Sequence, residues 1–146
     1  SDAYHMSSPH PEGLGARNAM AAALASAGLQ PQDIDYINLH GTATPSNDSA
    51  EDAAVSALFG SATPCSSTKG YTGHTLGAAG GVEAVICALA LREGLVPGGV
   101  GTETLDPQLR CNYQFDTQRR PLLHVLSNSF GFGGSNCSLV FSRVTA

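Results

Sequence analysis

Apolar and small residues recur at helical spacing near the start of the chain, between Leu14 and Ala27. Intervals of three or four residues place these side chains on one face of a helix. We expect Pro11 in the first turn of this helix, where the missing N–H has no intrahelical partner to lose. Gly28 fits a left-handed cap, and Pro31 prevents the helix from resuming.

Two further helices follow in the middle of the chain. Asp48 and Glu51 form an Asp-x-x-Glu capping box before an alanine-rich run, which Gly60 ends. Residues 75–93 form a longer helix that Gly94 closes, and its valine, isoleucine and leucine residues leave little polar face. We therefore expect the helix of residues 75–93 to be buried nearly all round.

Short apolar runs with β-branched and aromatic residues predict the strands. The predicted strands are IDYINLH (34–40), PCSST (64–68), a strand edge around residues 96–97, LLHVLSNS (122–129) and NCSLVFSRV (136–144). The glycine turn at residues 130–134 joins the last two runs, which are expected to be antiparallel neighbours. Residues 107–120 are expected to form a surface connection.

This order of elements predicts an α/β fold in which a mixed sheet is layered with helices on its faces. At 146 residues the chain is expected to form one domain, residues 1–146. Three loops carry unusual residues: 40–48, 69–75 and 128–136. The first two follow strand ends, where ligands tend to bind in open α/β sheets.

Composition excludes several classes of function. Hydrophobic residues make up 42% of the chain and charged residues 13%, so much of the surface is expected to be covered by a thick core or by a partner. The net charge of −5 argues against nucleic acid, and no basic run suggests a membrane surface. No apolar run reaches transmembrane length, and the N-terminus lacks the features of a signal peptide. The chain opens without a methionine, so we expect either a processed chain or a piece of a longer one.

The four cysteines are Cys65, Cys87, Cys111 and Cys137, and they are widely spaced. Their spacing matches neither a zinc site nor the disulfide framework of a secreted protein. We therefore expect reduced thiols, no metal site and a cytoplasmic protein.

Histidine, lysine and glutamate residues at the predicted loops are candidates for catalysis. His40 ends a strand and His74 precedes a helix, each beside glycine and threonine. Either histidine alone is more often a hydrogen-bonded loop residue, but two at such junctions favour a shared site. Lys69 is a cation near a loop that could host developing negative charge. Glu83 is the carboxylate of a nearly all-apolar helix, so we pair it with Lys69 or with an ion; the alternative is a solvated position.

Two glycine-rich stretches need a physical reason. Glycine weakens a helix by about 1 kcal/mol per residue relative to alanine, so GAAGG at residues 77–81 indicates the close approach of another element. GFGGSN at residues 131–136 fits no phosphate-binding fingerprint, and no helix follows it. Its glycines instead allow the loop to pivot, with Phe132 as a flap or a wall.

Four blocks carry a resemblance to a known family: SDAYHMSSP (1–9), HGTATPSND (40–48), STKGYTGHTLGAAGG (67–81) and SNSFGFGGSN (127–136). They resemble the second half of a β-ketoacyl-acyl-carrier-protein synthase, in the correct order and along essentially the whole chain. The resemblance implies a thiolase-like fold of two similar halves, of which this chain is the C-terminal one. It also implies that the glycine-rich helix packs against its counterpart in the other half.

The resemblance implies a catalytic role for several residues. His40 and His74 match the histidines that hydrogen-bond the malonyl thioester oxygen as it gains enolate charge. Lys69 matches the active-site lysine, and Glu83 matches the buried glutamate behind it. Phe132 matches a gating phenylalanine whose backbone N–H completes the oxyanion hole for the acyl thioester. We expect both imidazoles and the ammonium group to converge on a single cavity.

Other residues are implied to bind substrate or to support the site. Thr42 and Thr44 match the hydroxyls that hold the pantetheine arm, and Phe130 is assigned to substrate binding with them. Asp48 and Glu51 match acidic residues of a supporting network, although the capping box alone would explain them equally well.

The implied reaction is a decarboxylative Claisen condensation, an acyl transfer. A cysteine accepts an acyl chain from the phosphopantetheine thiol of acyl carrier protein, and decarboxylated malonyl-carrier protein then attacks the acyl thioester. No cofactor is implied, because the carrier protein brings the phosphopantetheine. The nucleophilic cysteine belongs to the N-terminal half of the family fold, and none of the four cysteines here substitutes for it. We therefore expect this polypeptide alone to be inactive.

Two functional hypotheses follow. In the first, the chain is the C-terminal half of an elongating synthase of fatty acid or polyketide synthesis, and its partners are acyl carrier protein and the N-terminal half. In the alternative, it is the same half of a non-catalytic chain-length factor that binds carrier protein or a catalytic partner. The intact histidines and lysine favour the enzyme. We also expect a homo-oligomer, because half of such a fold exposes the face of the helix of residues 75–93.

Overall fold

Helices and strands alternate along most of the chain in the computed structural model, which describes residues 1–144; residues 145–146 of the predicted domain lie outside the described part. In chain order the elements are α1 (Leu14–Ala27), β1 (Tyr36–Asn38), α2 (Pro45–Phe59), β2 (Pro64–Ser66), α3 (Lys69–Thr72), α4 (Ala79–Glu93), β3 (Leu95–Val96), β4 (Asn112–Tyr113), β5 (Gln118–Arg119), β6 (His124–Gly131) and β7 (Ser135–Ser142). Short 3₁₀ turns occupy Pro31–Asp33, Leu76–Ala78 and Phe132–Gly134.

A five-stranded mixed sheet lies at the centre, in the order β4-β2-β1-β6-β7. The first four strands of this order are parallel, and β7 runs antiparallel to β6. Asn38 is paired with Ser66 at the ends of β1 and β2. The loops that follow these two strands therefore leave the same edge of the sheet side by side, as the candidate site requires.

Helices cover both faces of the sheet. On one face, α1 and α2 bury side chains such as Met20 and Phe59 against Ile37 of β1. On the other face, α4 buries Leu91 against Tyr36, the neighbour of Ile37 along β1. Successive residues of a strand point to opposite faces, which gives the sheet two cores. The predicted α/β class, a mixed sheet layered with helices, is confirmed.

Helix α1 begins later than the sequence predicts. It starts at Leu14, and Pro11 lies in a turn ahead of it, so the placement of Pro11 in the first helical turn is wrong. The residue before the helix is Gly13, at φ 63°. A Cβ at this position would lie 2.1 Å from the carbonyl oxygen of Ala50. The close approach of α2 therefore fixes where α1 starts, which local periodicity does not reveal.

Helix α2 begins earlier than predicted, and the capping-box assignment is wrong. It starts at Pro45, whose fixed φ suits the first helical position. Asp48 and Glu51 consequently lie inside the helix, and Glu51 is buried. The predicted end of the helix at Gly60 is confirmed.

Helix α4 is exposed along one side, so the prediction that it is buried nearly all round is wrong. Val85 is 60% exposed and Leu89 is 41% exposed, and Ala88 between them is exposed as well. The opposite side buries Cys87 and Leu91. The helix ends at Gly94 as predicted, but its first residues form a 3₁₀ turn. An apolar helix with one uncovered side is what half of a two-part fold would present.

The glycines at the start of α4 differ in their surroundings. A Cβ at Gly80 would lie 3.0 Å from the Ser129 hydroxyl oxygen, so this glycine permits the approach of β6. Hypothetical Cβ atoms at Gly77 and Gly81 meet nothing within 4 Å. Gly77 and Gly81 therefore border open space, whereas Gly80 packs against β6.

The segment at residues 107–120, predicted to be a surface connection, contains strands β4 and β5. Strand β4 pairs with β2 in the main sheet, and β5 pairs with β3 in a separate two-stranded sheet. The Asp52 carboxylate accepts the backbone N–H groups of Arg110 and Cys111, which holds the segment against α2. These contacts use backbone groups, so the polar side chains of the segment gave no sign of them.

The remaining strand predictions are confirmed, although the first two observed strands are three residues long. Strands β6 and β7 are joined through the predicted glycine turn and pair over their whole length. The four cysteines are free thiols, as predicted, and only Cys137 among them is exposed. Across residues 1–144, no helix is long and apolar enough to cross a membrane.

Candidate active site

His40 follows β1 and is held in a buried position by its neighbours. Its backbone N–H donates to one oxygen of the Glu51 carboxylate at 2.8 Å, and the N–H of Gly41 donates to the other at 2.9 Å. Its ring nitrogen Nδ1 lies 3.5 Å from Nζ of Lys69, and its ring centroid lies 5.7 Å from that of Phe130. The imidazole is therefore restrained by its backbone, by a cation and by an aromatic ring.

Glu51 supports the loop of His40 from inside α2. Besides the two backbone N–H groups, its carboxylate accepts the side-chain amide of Asn128 at 3.1 Å and that of Asn47 at 3.4 Å. Burial raises the pKa of Glu51, and these four hydrogen bonds act against the rise. Asp48, one turn earlier, is only half-buried and faces a cavity, and burial raises its pKa as well.

Lys69 and Glu83 form a buried ion pair, which confirms the predicted pairing of Glu83. Their side chains are 7% and 2% exposed. The Lys69 ammonium group also donates to the backbone carbonyl of His40, and the Ser129 hydroxyl lies 3.5 Å from Glu83 Oε2. A buried charge without a partner is strongly unfavourable, so each of these two residues accounts for the presence of the other.

His74 lies in the loop after α3 and is exposed. Its ring centroid is 5.5 Å from that of His40, with the two ring planes at 84°. The N–H of Leu76 donates to Nδ1 of His74 at 3.3 Å. Leu76 adopts φ 52°, in the left-handed region that residues other than glycine seldom enter. The two histidines, distant in sequence, thus meet as predicted.

The surroundings of Nδ1 favour one tautomer in each histidine. At His74 the N–H of Leu76 donates to Nδ1, and at His40 the Lys69 ammonium group, which can only donate, lies 3.5 Å from Nδ1 and favours an accepting nitrogen there. The proton of each neutral ring consequently lies on Nε2. Burial, the charge of Lys69 and the nearby His74 lower the pKa of His40 from 6.5 to about 4. His40 is therefore neutral at pH 7 and keeps an Nε2–H donor.

The predicted substrate-binding and gating residues differ in how close they lie to the histidines. The hydroxyl oxygens of Thr42 and Thr44 lie 2.9 Å apart in the loop before α2. The aromatic ring packed on His40 belongs to Phe130 of β6. Phe132, predicted as the gate, lies in the turn between β6 and β7 and is 80% exposed. The structure thus places Phe130 at the histidines and leaves the Phe132 ring open to solvent.

A cavity of about 560 Å³ lies beside these residues. Lys69, His74 and Thr42 line it together with residues 100–106. His40 is not part of its lining in the described chain. The expectation of one cavity shared by both imidazoles and the ammonium group is therefore wrong in part: Lys69 and His74 share the cavity, and His40 reaches both by direct contact.

Asn128 of β6 is a supporting residue that the sequence analysis did not single out. It is completely buried, donates to Glu51 and accepts the hydroxyl of Ser138 at 2.7 Å. It links β6 and β7 through Glu51 to the loop of His40. A polar residue inside a buried apolar strand is the signal that could have identified it, because buried amides need hydrogen-bond partners.

A layered α/β domain whose strand-end loops join two histidines to a lysine–glutamate pair has the arrangement implied for the thiolase-like condensing enzymes. Residues 1–103 match the family described as "Beta-ketoacyl synthase, C-terminal domain". The chain belongs to this family.

Similar proteins agree with this assignment. The 3-oxoacyl-[acyl-carrier-protein] synthase 2 of Synechocystis sp. is 44% identical over 146 residues, which cover 97% of this chain and 35% of that protein. A chain of the complex between the ketosynthase ApeO and its chain length factor ApeC from Xenorhabdus doucetiae superimposes with a TM-score of 0.94 at 49% identity, over 99% of this chain and 37% of that one. The predicted thiolase-like fold is confirmed, and the chain spans about a third of the length of these relatives.

A second similar structure is that of a type II polyketide synthase acyl-carrier protein in complex with its ketosynthase. It is 29% identical, with a TM-score of 0.91, over 99% of this chain and 36% of that one. The similar proteins are thus named as 3-oxoacyl-[acyl-carrier-protein] synthases or as ketosynthases in complex with a carrier protein or a chain length factor.

Proposed function

We propose that the chain is the C-terminal part of a 3-oxoacyl-acyl-carrier-protein synthase, in which it polarises the malonyl thioester during decarboxylative condensation. The single observation that carries the proposal is the meeting of the His40 and His74 rings at 5.5 Å beside the Lys69 ammonium group. A non-catalytic chain-length factor would have no need of this complete set.

The proposed chemistry places the thioester oxygen between the two Nε2–H donors. When the bond to the malonyl carboxylate breaks, carbon dioxide leaves and its electron pair moves into the thioester as an enolate. The donors of His40 and His74 stabilise the negative oxygen. The enolate carbon then attacks the carbonyl carbon of the acyl thioester, the carbon–sulfur bond of that thioester breaks, and its thiolate leaves. Removing one donor of this kind typically costs about 100- to 1000-fold in rate.

The Lys69–Glu83 pair is proposed to hold the first donor in the correct protonation state. The ammonium group lies on the Nδ1 side of His40, so it favours the neutral ring with its proton on Nε2. Glu83 compensates the buried cation. A neutral imidazole that keeps its Nε2–H is suited to an oxygen that becomes anionic, since no proton has to be rearranged during the step.

The acyl-accepting thiolate is proposed to come from outside this chain. Contact with Cys111 and burial raise the pKa of Cys65, and burial raises the pKa of Cys87 to about 12. Neither thiol is ionised near neutral pH, and thiolates are the nucleophiles in this chemistry. Cys137 is exposed on the edge strand β7, where it pairs with Ser129 of β6. Cys111 borders the cavity but is buried in the same apolar cluster as Cys65. None of the four cysteines is proposed as the nucleophile, so the isolated chain is expected to be inactive.

The exposed side of α4 is the proposed contact with an N-terminal part of the synthase. This side carries Val85, Ala88 and Leu89 next to open space at Gly77 and Gly81. Small residues allow two helices to approach closely, and the chain covers 35% of the length of a relative. When the N-terminal part is absent, two copies are expected to pair through α4, which sedimentation at micromolar concentration would show; a clean monomer would contradict this pairing.

The proposal is tested with radiolabelled malonyl-carrier protein and an acyl-carrier protein. The chain alone should give no ketoacyl product, and the chain joined to an N-terminal part that bears the nucleophilic cysteine should give it. In the joined protein, His40→Ala and His74→Ala should each lower the rate by about 100-fold or more. His124→Ala, at the far end of β6, is the matched control. Condensation by the isolated chain, or full activity in both site variants, would refute the proposal.

A further inference from the structure

Ser67, the residue after β2, lies between the loop of His40 and the loop of Lys69. Its hydroxyl donates to the carbonyl oxygen of Gly41 at 2.8 Å and accepts the N–H of Lys69 at 3.3 Å. We infer that Ser67 is a positioning residue that fixes the His40 loop against the Lys69 loop. The inference rests on the proposed function for its catalytic consequence, but its geometric part stands on these contacts alone.

The hydroxyl continues the connection between β1 and β2 where their backbone pairing ends. The last backbone bond between them joins the N–H of Leu39 to the carbonyl oxygen of Ser66 at 2.9 Å. One residue further, the chains turn apart into their loops, and the Ser67 side chain makes the next link, to Gly41. Both backbone groups of Gly41 are thereby bound: Ser67 donates to its carbonyl oxygen, and Glu51 accepts its N–H.

Close packing explains why small residues occupy both positions. A Cβ at Gly41 would lie 2.4 Å from Cβ of Ser67 and 2.8 Å from its hydroxyl oxygen. Gly41 also adopts φ +40°, where other residues are strained. Residue 67 therefore needs a short side chain that both donates and accepts a hydrogen bond. Alanine can do neither.

A simpler explanation is a local serine turn, in which the hydroxyl only caps the N–H two residues ahead. Such a turn accounts for the bond to Lys69. It does not account for the shorter bond to Gly41, which is 26 residues away in sequence. The carbonyl of His40, the residue before Gly41, also accepts the Lys69 ammonium group. We therefore expect the His40 loop and the Lys69 loop to shift relative to each other when the bond from Ser67 to Gly41 is lost.

The test compares Ser67→Ala with Ser56→Ala in the 146-residue chain. Ser56 is the matched control, since its buried hydroxyl has no hydrogen-bond partner within residues 1–144. In Ser67→Ala, the amide of Lys69 should exchange with solvent roughly 2- to 10-fold faster, as expected for one lost hydrogen bond. The nuclear Overhauser contacts between the His40 and His74 rings should weaken, while exchange at Leu126 in the core stays unchanged. Ser56→Ala should change neither the Lys69 amide nor the ring contacts.

Unchanged exchange at Lys69 together with unchanged ring contacts in Ser67→Ala would overturn the inference. If Ser67→Ala does not fold, Ser67→Thr decides, because it keeps the hydroxyl and should preserve both signals; their loss there would also overturn it. In the joined, active protein, Ser67→Ala should lower kcat roughly 10- to 100-fold with little change in KM. The nuclear magnetic resonance result does not depend on activity, so failure of the proposed reaction and failure of the positioning role are separate outcomes.

Discussion

The loops of His40 and His74 supply the same type of side chain in two different ways. His40 is buried, and its position depends on Glu51, Lys69 and Phe130. His74 is exposed and is held at Nδ1 by one backbone N–H, that of Leu76. The difference shows that this chain buries the His40 ring and restrains it by several contacts, whereas it holds the exposed His74 ring by one hydrogen bond. The open side of α4 begins a few residues after His74, so this loop and that side of the helix are exposed together.

The buried loop should be most sensitive to loss of its ion pair. Lys69→Met leaves Glu83 buried without a counter-ion and should lower the free energy of unfolding by about 3–5 kcal/mol. The double variant Lys69→Met/Glu83→Met should recover most of this loss, because neither charge remains. Arg92→Met removes an exposed pair with Glu93 and should cost about 0–1 kcal/mol. Denaturant unfolding measures all three, and a Lys69→Met cost equal to that of Arg92→Met would contradict the account.

Neutralising Glu51, which binds the backbone of the His40 loop, should have the next largest effect on the free energy of unfolding. Glu51→Gln replaces an oxygen that accepts N–H groups by an amide that donates, so at least one donor loses its partner. The expected cost is about 1–3 kcal/mol in the free energy of unfolding. Glu12→Gln, at an exposed position, is the control and should be nearly neutral. Equal stability of the two variants would show that Glu51 does not hold the loop.

The two loops should also differ in how pH affects stability. The pKa of His40 is lowered from 6.5 to about 4 in the folded chain, so between these values the unfolded chain binds more protons. The contribution of His40 is therefore complete above pH 6.5 and is lost as the pH falls through 4. His40→Asn should flatten the change in unfolding free energy between pH 7 and pH 5. Carboxylates such as Glu51 contribute to both proteins, so an unchanged slope in His40→Asn would count against a buried neutral ring.

The smallest effect on stability is expected at His74. Its side chain is exposed, so His74→Asn should change the free energy of unfolding by no more than about 0.5 kcal/mol. The same substitution should nevertheless abolish most activity in the joined protein. A loss of several kcal/mol would mean that the loop of His74 is as firmly organised as that of His40, and the comparison would fail.

The sequence predicted the sheet, the main helices and the meeting of the two histidines, because apolar periodicity and strand-end loops are local signals. The capping-box prediction at Glu51 failed, since a capping box is a local pattern, whereas the burial of this carboxylate depends on the loop after β1 and on Asn128 of β6. The prediction also failed at the exposed side of α4. Apolar residues on a helix indicate that it is buried, but they do not show whether this chain or another one covers it. Strands β4 and β5 were missed because both are two-residue strands held by backbone hydrogen bonds.

The most direct test of the central claim is the protonation of the His40 and His74 ring nitrogens in ¹⁵N nuclear magnetic resonance spectra at pH 7. We expect the neutral form of each ring to carry its proton on Nε2, with Nδ1 unprotonated, and the two rings to show mutual Overhauser contacts. A neutral ring with its proton on Nδ1, or a doubly protonated His40, would leave no pair of matched donors for the thioester oxygen and would contradict this arrangement.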